Sequence, residues 1–192
     1  MQALTQAISD RLAVPATRRA AIVAVGIAAF AAAMVAAAFV RIPLPFSPVP
    51  VTLQTMVALL AGAILGPGAG AASQVLYLSL GAAGLPVFTT GATIGLTGGY
   101  LIGFVVAATL VGRAARVSRP DLPVAAAMIG GSVAIYALGA TWLALVTGMG
   151  AAKALSVGVL PFIAGDTMKL VAAYGAWRVG RTAWRHLTAG RS

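Results

Sequence analysis

Asp166 and Lys169 lie three residues apart inside "VLPFIAGDTMKLVAAYGAW" (residues 159–177), a stretch that is otherwise almost wholly apolar. At that spacing on a helix the two side chains share a face. A lone charge at the centre of a bilayer costs about 2.5–3.5 kcal/mol on insertion scales, and such groups turn toward a bundle interior or a cavity. Each can partly neutralise the other. Together they set an acceptor beside a donor, an array that matches a cyclic urea or amide, which shows N–H next to C=O. The plainer reading is an internal ion pair that only fixes helix packing, although buried pairs are weak evidence for stability. Pro161 lies one turn upstream and would loosen the helix near this site.

Few other polar side chains stand in apolar context. Thr52 and Gln54 begin one apolar segment, and Gln74 and Tyr77 share a face of the next. Thr89, Thr90, Thr97 and Tyr100 belong to a Gly/Thr-rich stretch and the helix entry after it. For each of them a helix cap or an interhelical hydrogen bond stands as an equal alternative to ligand contact. Phe46, Phe88 and Trp142 are candidate walls for an apolar ligand, or interfacial anchors. No GxxxxGK[ST] occurs, so the chain has no P-loop of its own. With one histidine, His186, three acidic residues and no cysteine, neither a catalytic triad, a metal cluster nor a disulfide is expected. The residues point to binding, not catalysis.

These groups must be held by elements buried in lipid. Of 192 residues, 60% are hydrophobic and only 8% charged, with a mean hydropathy of +0.99. Soluble domains carry about 25% charged residues. The chain is therefore read as an integral membrane protein with a single all-α domain over 1–192. Six membrane helices are expected, at about 20–40, 53–65, 69–83, 100–112, 124–146 and 155–177. The opening twenty residues are polar for too long to be a signal peptide, so the first apolar run is read as a retained helix. Prolines 43, 45, 48 and 50 keep "RIPLPFSPVPVT" out of helix. "VFTTGATIGLTGG" reads as an irregular loop.

Charge orients the bundle. Arg11, Arg18 and Arg19 precede the first helix; Arg113, Arg116 and Arg119 fall between the fourth and fifth; Arg178, Arg181, Arg185 and Arg191 follow the sixth. By the positive-inside rule both termini are cytoplasmic. The net charge of +10 is then topological, and no nucleic-acid partner is expected. The proline-rich and Gly/Thr-rich segments both face outward. Irregular backbone at membrane depth is tolerated where it lines a cavity, so these long outer loops are read as a lid over a substrate pocket. On the first helix Ala28, Ala32 and Ala36 recur every fourth residue, as do Ala29, Ala33 and Ala37. Small residues so spaced make a smooth face for another helix, within this bundle or from a partner. Gly95, Gly99 and Gly103 look like packing spacers of the same kind.

"PFSPVPVTLQTMVALLAGAILGPGAGAASQVLYLSLGAAGLPVF" (45–88), "TGGYLIGF" (97–104) and "GDTMK" (165–169) resemble the BioY family, the biotin-capturing S components of energy-coupling factor transporters. The likeness covers most of the chain, in order. It implies high-affinity capture of biotin from outside, with no cofactor, in the cell membrane of a prokaryote. It also implies docking, through the small-residue patches of the first helix, onto a transmembrane coupling (T) subunit driven by two ATP-binding cassette ATPases. It implies a biotin site capped by the outer loops, and the expected binding set is Asp166, Lys169, Gln54, Tyr77, Thr89, Thr90, Gly98 and Tyr100. Asp166 would accept from a ureido N–H and Lys169 would donate to the ureido oxygen. Family members commonly read "GPTGGY" where this chain has "GLTGGY", and its second outer loop lacks a basic residue. Arg41 and loop N–H groups are the candidates for biotin's carboxylate. The alternative is a solitary ion- or proton-coupled transporter with Asp166 and Lys169 as its relay.

Overall fold

The computed structural model describes residues 16–89 and 95–189. In chain order these form α1 (Ala16–Phe39), β1 (Arg41–Leu44), β2 (Ser47–Thr52), α2 (Gln54–Leu65), α3 (Pro67–Ala82), α4 (Gly98–Ala114), α5 (Asp121–Thr147), α6 (Ala151–Gly158) and α7 (Ile163–Ala189). Four described stretches are long and apolar enough to cross a membrane: Ala16–Phe39, Gly95–Ala114, Asp121–Thr147 and Ala151–Thr182. α2, with 12 residues, spans about 18 Å at 1.5 Å per residue, short of a hydrocarbon core of about 30 Å. α3 has 16 residues. Gly66, at φ 84°, makes the single-residue turn between α2 and α3. Pro67 then opens α3 where a missing N–H costs nothing.

The described residues hold four stretches of membrane-spanning length where six membrane helices were expected, and two segments differ in form. The span expected over 155–177 is interrupted: α6 ends at Gly158, a 3₁₀ turn covers Leu160–Phe162, and α7 starts at Ile163. Val159 leaves helical geometry at φ −129°, and Pro161 has no N–H with which to continue the ladder. The break places Asp166 in the first turn of α7, where the helix dipole favours a negative charge. The proline-rich segment, expected to be merely extended, pairs with itself as an antiparallel hairpin, with Arg41 opposite Thr52 and Leu44 opposite Ser47. Its register is irregular between Ile42 and Leu44, where Pro43 stands.

α4 and α5 approach closely because glycine lines their contact. A Cβ at Gly99 would come within 2.1 Å of the Leu138 carbonyl oxygen, and one at Gly103 within 2.7 Å of Ile135 Cα. From the other side Gly139 leaves room for the Tyr100 ring. α1 buries Ala31, Met34, Ala37 and Ala38 of its second half in the bundle, and Gly26 lies against Leu65 of α2. Ala28, Ala29, Ala32 and Ala36 remain exposed and Ala33 half-buried. Leu145, Val171 and Val179 are also exposed, a surface suited to hydrocarbon. At one end of the bundle Asp121 pairs with Arg178 and Arg181. The hairpin caps the opposite end.

Candidate ligand-binding site

Beneath the hairpin lies a narrow cavity of about 40 Å³. β2 contributes Val49, Pro50 and Thr52 to its wall, and the first turn of α2 contributes Gln54 and Thr55. Thr89 and Thr97 close one side, with Tyr100, Leu101 and Phe104 of α4 below them. Ile135 and Tyr136 of α5, Phe162 of the 3₁₀ turn and Asp166 of α7 complete it.

Asp166 is the only carboxylate in this wall, and it is 6% exposed. The Lys169 ammonium donates to Asp166 Oδ1 at 2.6 Å, and the Tyr136 hydroxyl donates to Oδ2 at 2.8 Å. One charged and one neutral donor thus hold the carboxylate's two oxygens. Each oxygen keeps a further lone pair for a donor arriving from the cavity. An unpaired carboxylate at such depth would cost far more than a hydrogen bond returns, so the two donors offset the burial of Asp166.

The expected binding residues divide. Asp166, Gln54, Thr89 and Tyr100 come together in the cavity wall, whereas Lys169, Tyr77 and Gly98 do not line it. Thr90 lies outside the described residues. Lys169 reaches the site through Asp166. Tyr77 accepts from Gln54 Nε2 at 2.8 Å and donates to the Val87 carbonyl at 3.2 Å, so it braces the segment leading to Thr89. Its ring meets Phe88 edge to face at 5.4 Å. Gly98 is buried at the start of α4. Tyr100 donates to the Gly158 carbonyl at 2.6 Å and so holds the end of α6 against α4.

None of the aromatic walls expected from sequence lines the cavity. Phe46 is exposed, Phe88 packs behind against Tyr77, and Trp142 donates to the Gly95 carbonyl. Phe104 and Phe162 take their place. Sequence reasoning also missed Thr55 and Tyr136. Tyr136 carried a signal, as the one tyrosine of a 27-residue apolar helix. Gln74 is buried away from the cavity, donating to Ser73 Oγ at 3.0 Å. No cluster of three metal-ligating side chains occurs among the described residues.

Membrane-length helices closing a mostly apolar cavity over one buried carboxylate, under a capping hairpin, define a membrane protein built to bind a small molecule. The crystal structure of the S-component for biotin from an ECF-type ABC transporter shares this fold, with a TM-score of 0.77 and 28% identity, covering 88% of this chain and 95% of that one. The BioY family model matches residues 8–187, and the chain belongs to the BioY family. The biotin transporter BioY of Rhizobium etli is 40% identical over 162 residues, covering 76% of this chain and 86% of that protein. That of Thermotoga maritima is 40% identical over 149 residues, covering 75% and 86%.

Proposed function

We propose that this protein is the biotin-binding subunit, or S component, of a vitamin-uptake transporter. It captures biotin at the hairpin end of the bundle and delivers it inward with an ATPase-driven partner. The observation that carries the reading is the buried Asp166 carboxylate in the cavity wall, held by Lys169 and Tyr136. A ureido N–H of biotin donates to Asp166. The Tyr136 hydroxyl, turning from Asp166, and the Lys169 ammonium, 2.6 Å from Asp166, are the donors assigned to the ureido oxygen. Phe104, Phe162, Leu101 and Ile135 suit the thiophane ring and valeryl chain, since small-molecule sites are mostly apolar with few placed polar groups.

The hairpin faces outward and both termini face the cytoplasm. Arg113, Arg116 and Arg119 lie at the end of the bundle opposite the hairpin, as do Arg178 and Arg181, in keeping with the positive-inside rule. Ligand pockets measure about 300–1,000 Å³, well above the 40 Å³ enclosed here. Biotin binding therefore requires this site to widen, and the hairpin above it is the element we propose to move. The exposed alanine face of α1, left free by α1's own packing, supports docking to a T subunit and, through it, to two ATP-binding cassette ATPases. The membrane is the cell membrane of a prokaryote. A solitary proton-coupled carrier is not favoured, because the matched relatives are named biotin transporters and the shared fold is that of an S-component.

Calorimetry of the detergent-purified protein tests the reading. Biotin binds tightly to the parent, while an analogue altered at the ureido ring does not. Asp166→Asn weakens biotin binding and leaves the protein folded. Unchanged binding by that variant would falsify the site.

A further inference from the structure

We infer that Arg41 is the anion-binding residue of the site and takes the carboxylate of the bound ligand. The inference rests on the biotin reading, because it concerns the charged end of that molecule. Arg41 stands opposite Thr52 in the hairpin, and its Nη1 donates to the carbonyl oxygen of Thr89. Thr52 and Thr89 both line the cavity. The guanidinium is thereby held at the cavity's edge, on the hairpin side. It has five N–H donors, and one of them is committed to Thr89.

The charge on Arg41 is also unspent. Among the described residues no carboxylate pairs with it: Asp121 is engaged by Arg178 and Arg181, and Asp166 by Lys169 and Tyr136. Residues 83–99 contain no Lys, Arg or His. Lys169, the other nearby cation, is already neutralised by Asp166 at 2.6 Å. Arg41 and Lys153 of α6 are both exposed and neither lines the cavity, but Arg41 is the one that bonds a wall residue, Thr89. An anion whose neutral ring sits at Asp166 finds its uncompensated positive partner in Arg41. A guanidinium engages a carboxylate with paired N–H donors, which adds geometric specificity to charge.

The test compares biotin with biotinamide, the same molecule without the charge, by calorimetry on the parent, Arg41→Gln, Lys153→Gln and Asp166→Asn. The parent prefers biotin by about tenfold or more. Arg41→Gln lowers biotin affinity to that of biotinamide and leaves biotinamide binding as it was. Raising the salt concentration weakens biotin binding to the parent and not to Arg41→Gln. Lys153→Gln behaves as the parent. The inference is overturned if Arg41→Gln keeps the preference, if it weakens both compounds equally, which marks a hairpin strap only, or if the parent shows no preference. Failure of the parent to bind either compound refutes the biotin reading itself, and Asp166→Asn, expected to weaken both compounds alike, separates the two subsites.

Discussion

The Tyr136 hydroxyl donates to Asp166 Oδ2 at 2.8 Å, joining α5 to α7 across thirty residues of sequence at the cavity wall. This contact orients the carboxylate and offers a donor that can turn to an incoming carbonyl. Tyr136→Phe removes the hydroxyl with little change of shape. We expect biotin affinity to fall by about ten- to 150-fold, corresponding to about 1.5–3 kcal/mol for a hydrogen bond to a charged group. Titration calorimetry measures the loss, and thermal unfolding checks that the fold survives. Undiminished affinity would place Tyr136 outside the binding set.

Ser47 Oγ donates to the Val157 carbonyl at 2.6 Å and so ties the hairpin to α6. If the hairpin must lift for biotin to pass, Ser47→Ala speeds dissociation and shifts the equilibrium stability by only about 0.5–1.5 kcal/mol. Stopped-flow displacement of a fluorescent biotin reads the rate. An unaltered off-rate argues that the ligand enters by another route.

Gly99 packs its Cα face on the backbone of Leu138. Backbone cannot swing aside as a side chain can, so Gly99→Val must push α4 from α5. The expected cost is about 1–3 kcal/mol or more, the range for overpacking, with a lower unfolding temperature. Gly130→Ala, where no atom crowds the site, serves as the comparison. Equal stability of the two variants would contradict the close α4–α5 approach.

Asp121 and Arg178 are largely exposed, at 47% and 60%. Asp121 also holds the less exposed Arg181, but the shared carboxylate is half in water, so Asp121→Asn costs about 1 kcal/mol, and biotin affinity stays as in the parent. Loss of binding here would mean that the arginine end of the bundle communicates with the cavity.

Ala32, on the exposed face of α1, supports a prediction about assembly. Ala32→Trp puts bulk where a partner helix would lie and touches no part of the cavity wall. Biotin binding by the isolated subunit is retained, while co-purification with the T subunit and ATP-dependent uptake are lost. Normal assembly would show that the partner docks elsewhere.

Much of this protein was legible in its residue order. Sixty per cent hydrophobic content with so few charges commits the chain to lipid. The Asp166–Lys169 pair could be read because helical periodicity is local, and three residues apart means one face. The glycines at 99 and 103 likewise announced a close helix contact.

Other features depended on which elements meet. Tyr136 joined the site, and Lys169 left its wall, through the rotation of α5 and α7 about their axes, which packing sets and periodicity does not. Val159 and Pro161 turned one expected span into two helices, because a missing donor permits either a kink or a full break and the surrounding contacts choose. The prolines excluded helix from residues 41–52 but did not say that Arg41 would face Thr52. Composition and period act within a few residues along the chain; the cavity is made by groups up to 117 positions apart (Val49 to Asp166), and only the packed bundle brings them within reach of one ligand.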